Sequence, residues 1–158
     1  MEQIARDPRA DFLAVYNRSI GRNGRAALLY WLENETDFFT APASSKHHLA
    51  QPGGLTIHSL NVWHRLREIA VRDMTDRNEP GVRQLSEADE ETVAVLGLLH
   101  DVCKVGVYHQ ETKRRRNPET KQWEDCLGYT FRDPFPLGHG EKSLFLITRH
   151  MALTEEEA

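Results

Sequence analysis

At 158 residues, with 39% hydrophobic and 28% charged residues, the chain has an ordinary soluble globular composition and enough length for one substantial core. Its apolar runs fall far short of the roughly 20 residues a membrane span needs, and the start MEQIARDPRADF lacks the basic and apolar stretches of a secretory signal. A formal net charge of −4 argues against broad binding to duplex nucleic acid; the N-terminal sequence makes the expectation a cytoplasmic protein with reduced thiols, Cys103 and Cys126 acting as small apolar fillers.

Apolar residues recur at helical spacing in Asp7 to Ile20 (Phe12, Val15, Tyr16) and in Gly24 to Asn34 (Leu28, Leu29, Trp31, Leu32), which predicts two short helices. The stretch APASSKHHLAQPGG is a loop by composition and carries Lys46, His47 and His48. From Leu55 to Met74 the stripe Leu55, Val62, Leu66 and Ile69 marks an amphipathic helix entered from a glycine pair. The polar segment DMTDRNEPGVRQ is a connection. Ser86, followed by Asp89 and two glutamates, predicts a helix cap, and Val93, Leu96 and Leu99 carry that helix into LGLLHDVCKVG. After Gly106, VYHQETKRRRNPETKQWEDCLGYTF alternates in two halves about an Asn-Pro turn, which predicts a β-hairpin. RDPFPLGHG reads as loop and GEKSLFLITRHM as another helix. Thr154 and Glu157 in TEEEA have the spacing of a capping box, so a helix start is predicted there and the native protein is expected to continue.

His100 falls on the stripe Val93, Leu96, His100, Cys103, the face aimed at the core, with Asp101 beside it. An ionised carboxylate there is costly unless paired or metal-bound. Alone, the pair also fits a His–Asp hydrogen bond or a histidine favoured at a helix C-terminus. His58 lies on the apolar stripe of its own helix, where a satisfied core histidine is the ordinary explanation, and His139 opens the last full helix between glycines that permit close approach of backbone or ligand. Three helix-borne imidazoles and a carboxylate make a mixed nitrogen and oxygen donor set suited to manganese, iron, cobalt, nickel or zinc. The candidates stand about forty residues apart, so only a folded helical core brings them together.

On these motifs, His58 in GGLTIHSLNVW, His100 and Asp101 in LLHDVCKVG, and His139 in LGHGEKS, the chain resembles the HD-domain superfamily of metal-dependent phosphohydrolases. Within it the chain looks like the bacterial and phage branch that includes the HD domains of YhaM-like 3′-5′ exoribonucleases. The resemblance covers Ala43 to the C-terminus and implies an all-α HD-domain helical bundle with a small β-hairpin inserted after the His-Asp helix. It implies a single domain over 1–158, with N-terminal helices in 1–42 and an HD core in 43–158 that is truncated at the C-terminus. One or two divalent ions (Mn, Fe, Co, Ni or Zn) would be held by His58, His100 and Asp101, with His139 a ligand to a second ion and Asp101 able to bridge the two. The family's final aspartate ligand has no counterpart after Asp133.

The implied chemistry is hydrolysis of a nucleotide or oligonucleotide phosphoester by a metal-activated water. Asp101 and Lys104 are the expected catalytic residues; a cation near a helix C-terminus is the simpler explanation of Lys104. Lys46, His48 and Lys142 are candidate substrate-binding residues. A second reading is an HD fold that binds nucleotide or phosphate without turnover. A third is a nucleic-acid adaptor acting through the run Lys113 to Arg116 with a purely structural metal; otherwise that run is a solvated face. His64, His109 and His150 read as surface or packing residues, and Trp31, Trp63 and Trp123 as core or hairpin packing. No membrane or duplex DNA partner is expected, and the oligomeric state stays open.

Overall fold

The computed structural model describes residues 7–77 and 84–158, so half of the connection predicted at DMTDRNEPGVRQ, residues 78–83, lies outside the described residues, and its first five residues instead extend the helix that precedes it. In chain order the elements are α1 Pro8–Ser19, α2 Arg25–Asn34, α3 Gly54–Arg77, α4 Glu87–Leu99, a 3-10 turn Val102–Lys104, β1 Tyr108–Arg116, β2 Trp123–Phe131 and α5 His139–Thr148. The protein is mainly helical, but the all-α label needs correcting, because β1 and β2 pair as a two-stranded antiparallel sheet.

Local chemistry accounts for the helix starts. Asp7 accepts a hydrogen bond from the Arg9 amide at 3.0 Å with Pro8 at the first helical position, and Ser86 accepts from the Asp89 amide at 3.1 Å with Glu87, Asp89 and Glu90 in the first turn of α4. α1 buries Phe12, Val15 and Tyr16, and α2 buries Leu28 and Leu32. The Phe12 ring lies 5.1 Å from Phe38 and 5.3 Å from Phe39, so the segment after α2 closes over α1. Burial of each such side chain contributes about 1.5–3 kcal/mol of transfer free energy.

α3 and α4 approach unusually closely. A Cβ added at Gly97 would lie 2.5 Å from the Trp63 Cα, so only glycine allows this contact, which buries the Trp63 ring. The burial of α3 is concentrated in its first half, at Leu55, Thr56, Ser59, Leu60 and Trp63, whereas the expected stripe members Val62, Leu66 and Ile69 are only half-buried. The reason is local: Thr56 and Leu55 are tied to the Phe38 and Ala41 carbonyls of the segment packed on α1.

α4 does not continue to Gly106. It ends at Leu99, and Asp101 takes φ −106° and ψ 19°. The Gly97 carbonyl, which a continuing helix would offer to the Asp101 amide, instead accepts the His100 Nδ1–H at 3.0 Å. At the hairpin tip Asn117 Oδ1 accepts from the Glu119 and Thr120 amides and builds the turn. Trp123, expected to pack, is 62% exposed.

At the C-terminal end only half of the predicted capping box forms. Glu157 Oε2 accepts from the Thr154 amide at 2.9 Å, but the segment is a turn rather than a helix. The Glu157 carboxylate is buried against Arg22 and the Thr92 hydroxyl. Burial pushes this carboxyl up, yet the hydrogen bonds from Arg22, the Thr154 amide and Thr92 outweigh it and the net shift is down.

Candidate metal centre

The loop 43–49 folds tightly onto the start of α3. The Ala43 amide donates to the Leu49 carbonyl at 3.1 Å, and a Cβ at Gly54 would lie 2.0 Å from that oxygen. Ser44 Oγ accepts from the His47 amide and donates to the His48 carbonyl, both at 2.9 Å. These contacts place the His48 ring 5.1 Å from that of His58, which projects from the first turns of α3.

His100 and Asp101 reach the same place from the end of α4. His58 Nε2 lies 3.1 Å from Asp101 Oδ2, His100 Nε2 lies 3.2 Å from the same oxygen, and the two Nε2 atoms are 3.2 Å apart. The Gly97 carbonyl can only accept, so His100 Nδ1 carries the proton and its Nε2 turns a lone pair toward the triangle. Metal–nitrogen and metal–oxygen bonds of about 2.1 Å set donor–donor edges of about 3.0 Å at right angles and about 3.4 Å in a tetrahedron. All three observed edges lie between these values, so the donor set fits one divalent transition-metal ion. The side chains remain 22%, 31% and 13% exposed, so a cation held here keeps positions open to solvent, as catalytic sites require.

Lys104 completes the electrostatics. Its ammonium lies 2.7 Å from Asp101 Oδ2 and donates to the Ala43 carbonyl at 2.9 Å. Burial pushes the Asp101 carboxyl up, but its close contacts with His100, His58 and the Lys104 ammonium outweigh it and hold the group well below the usual carboxylate range. Tyr108 stands at the rim, its hydroxyl 3.4 Å from the same Ala43 oxygen, and burial followed by the Asp101 charge pushes its phenol up.

The other expected site residues are placed differently. His139 is exposed at the start of α5, with Nδ1 3.3 Å from Cys103 Sγ, and the clustered donors among the described residues are His58, His100 and Asp101 without it. Lys142 is buried, with its ammonium 2.9 Å from both oxygens of Asp133, so it faces a carboxylate. Lys46 is exposed on the loop before α3. His150 packs on Trp31 and His64 on Trp63.

Three supporting groups escape a reading of the sequence. Gly97 and Ala43 act through their carbonyls, which residue type does not advertise. Ser143 donates to the His100 carbonyl at 2.7 Å and accepts from the Cys103 amide at 3.1 Å, bracing the Asp101 turn from α5. Its only signal is a hydroxyl on the face of a helix that otherwise buries Leu146 and Ile147.

The HD-domain family model matches residues 55–154, which holds both arms of the triangle. The chain belongs to the HD-domain family. Members of this family are typically metal-dependent phosphohydrolases, and the HD-domain His-Asp pair sits here on the donor triangle. Searches of the curated proteins and of the solved structures found no match. Among the described residues no helix of this HD domain is long and apolar enough to cross a membrane.

Proposed function

We propose that the protein is a metal-dependent phosphohydrolase that hydrolyses a nucleotide or phosphodiester. The observation that carries this reading is the convergence of His58, His100 and Asp101, 42 residues apart between the histidines, on one triangle with a lysine ammonium at its edge. A divalent transition metal held there supplies Lewis acidity and activates water near neutral pH. The protein's own contributions are distinct. Gly97 orients the His100 ring and Ser143 braces the turn that presents Asp101. Lys104 sets a fixed positive charge at the edge where the phosphoryl oxygens of a substrate gain charge. His48, beside His58 and exposed on its loop, is placed to touch the substrate phosphate.

Within the family we place the chain nearest the branch that includes YhaM-like exoribonucleases, on the motifs GGLTIHSL, LLHDVCKVG and LGHGEKS. A single domain is supported by one hydrophobic cluster running from Phe12 to Met151, and a cytoplasmic setting by two free cysteines. The competing reading, an HD fold that binds without turnover, is favoured by the Lys104–Asp101 ion pair, which already neutralises the carboxylate.

Calorimetric titration with Mn²⁺ and hydrolysis of bis-p-nitrophenyl phosphate separate the two. Micromolar binding with turnover, both abolished in Asp101→Asn, is the expected result. Binding without turnover selects the second reading, and turnover that survives the substitution overturns the mechanism.

A further inference from the structure

The hairpin register divides the cationic run. Side chains of Arg114 and Arg116 share one face with their cross-strand partners Asp125 and Trp123, whereas Lys113 and Arg115 share the other with Cys126 and Glu124. Lys113 is used internally, donating to the Tyr129 carbonyl and pairing with Glu111. The first face also carries the pairs Tyr108 with Phe131, Gln110 with Tyr129 and Thr112 with Leu127.

Tyr129 is buried and Tyr108 half-buried at the root of this face, but its other apolar side chains are open to solvent. Trp123 is 62%, Leu127 75% and Phe131 49% exposed, far from the burial such side chains favour. Its one carboxylate, Asp125, meets Arg114 at 3.7 Å in a solvated pair worth little. Arg116 spends only its Nε on the Lys121 carbonyl and keeps the rest of its guanidinium. At the root, the Tyr108 hydroxyl contacts the Ala43 carbonyl that also holds Lys104, so the face begins at the rim of the metal centre and runs outward for about 27 Å, at about 3.4 Å per residue.

We infer that this face binds single-stranded nucleic acid, with bases stacked on the exposed side chains and phosphates held by Arg114 and Arg116. Exposed apolar surfaces, Trp123 among them beside Arg116, together with free guanidinium groups suit unpaired bases, whose faces are free for stacking, and not a duplex, whose bases stack on one another. The distribution of charge explains how a chain of net charge −4 offers such a track: on the opposite face Glu111 and Glu124 stand beside Lys113 and Arg115. That the track delivers a strand to the metal centre rests on the hydrolase reading; the binding itself does not.

Anisotropy of a 5′-fluorescein-labelled eight-nucleotide RNA and of the same DNA sequence, read in EDTA, tests this without turnover. Both single strands are expected to bind and the matching duplex is not. Trp123→Ala should weaken binding about tenfold, and Arg114→Gln with Arg116→Gln should lower the slope of log affinity against log salt by about 1.4. Arg115→Gln, on the opposite face, should change affinity less than twofold. No binding, or binding equal in the wild type and Trp123→Ala, overturns the inference. So does a concentration-dependent dimer in sedimentation that Leu127→Asp dissolves, because the face then covers a second copy. Failure of the bis-p-nitrophenyl phosphate test leaves this result standing, and failure here leaves the hydrolase reading standing.

Discussion

Two lysine–aspartate pairs, one made by α5 and one by the 3-10 turn packed beside it, differ in what else the carboxylate meets. Lys142 holds both oxygens of Asp133 at 2.9 Å and is itself buried, and the Phe135 amide donates to the same carboxylate at 3.0 Å, so the carboxylate meets donors only. Lys104 touches one oxygen of Asp101, and that same oxygen also faces two imidazole nitrogens at 3.1 and 3.2 Å. Both carboxyls are shifted down, so a lowered pKa does not tell a structural pair from a reactive one. The surplus of lone pairs around one oxygen does.

The largest expected effect falls on the open pair. Asp101→Asn removes the anionic donor and should lower bis-p-nitrophenyl phosphate hydrolysis at least 100-fold, beyond the loss typical of residues that only support a ligand. Lys104→Met should cost 10- to 100-fold in kcat while Mn²⁺ affinity in calorimetry holds or rises, because an ammonium no longer competes with the cation. If affinity falls along with kcat, Lys104 serves mainly to hold the site together.

The closed pair should answer in stability. Lys142→Met leaves Asp133 without its partner and should destabilise the fold by about 2 kcal/mol, between the values for exposed and fully buried pairs, with Mn²⁺ affinity unchanged. An unaltered melting temperature combined with slower hydrolysis would make Lys142 a substrate contact instead. The smallest effect is the pH dependence of the same pair. Burial raises the Asp133 carboxyl but the Lys142 hydrogen bonds outweigh it, so the folded value lies below the ordinary 3.8. Its stabilisation is therefore complete above about pH 4 and is lost as pH falls through the folded value. Urea melts should show a shallower acid decline in Lys142→Met than in the wild type; equal declines would place the acid sensitivity elsewhere, for example at Glu157.

The same contrast marks what a reading of the residues reaches. Spacing of apolar residues and caps at Asp7 and Ser86 reveal the helices, because those signals are local. The His58, His100 and Asp101 triad is legible as two motifs in order, although the end of α4 is not: a ring nitrogen takes the Gly97 carbonyl, and nothing in LGLLHDVCKVG distinguishes that from another helical turn. The burial of Lys142 and of Glu157 escapes the sequence for a related reason. Each is a charged residue whose burial depends on a partner distant in the chain or on another element, Asp133 in one case and Arg22 in the other. The hairpin is legible, but which of its cations share a face depends on register, which the irregular alternation leaves open.

Gly97 has a further bearing on the triangle. His58 precedes Trp63 by five residues on α3, and His100 follows Gly97 by three residues, so the missing methyl gauges the gap across which the two imidazoles meet. Any side chain at that position would wedge the helices apart and lengthen the separation of the two imidazoles, making a residue without a side chain the spacer between them.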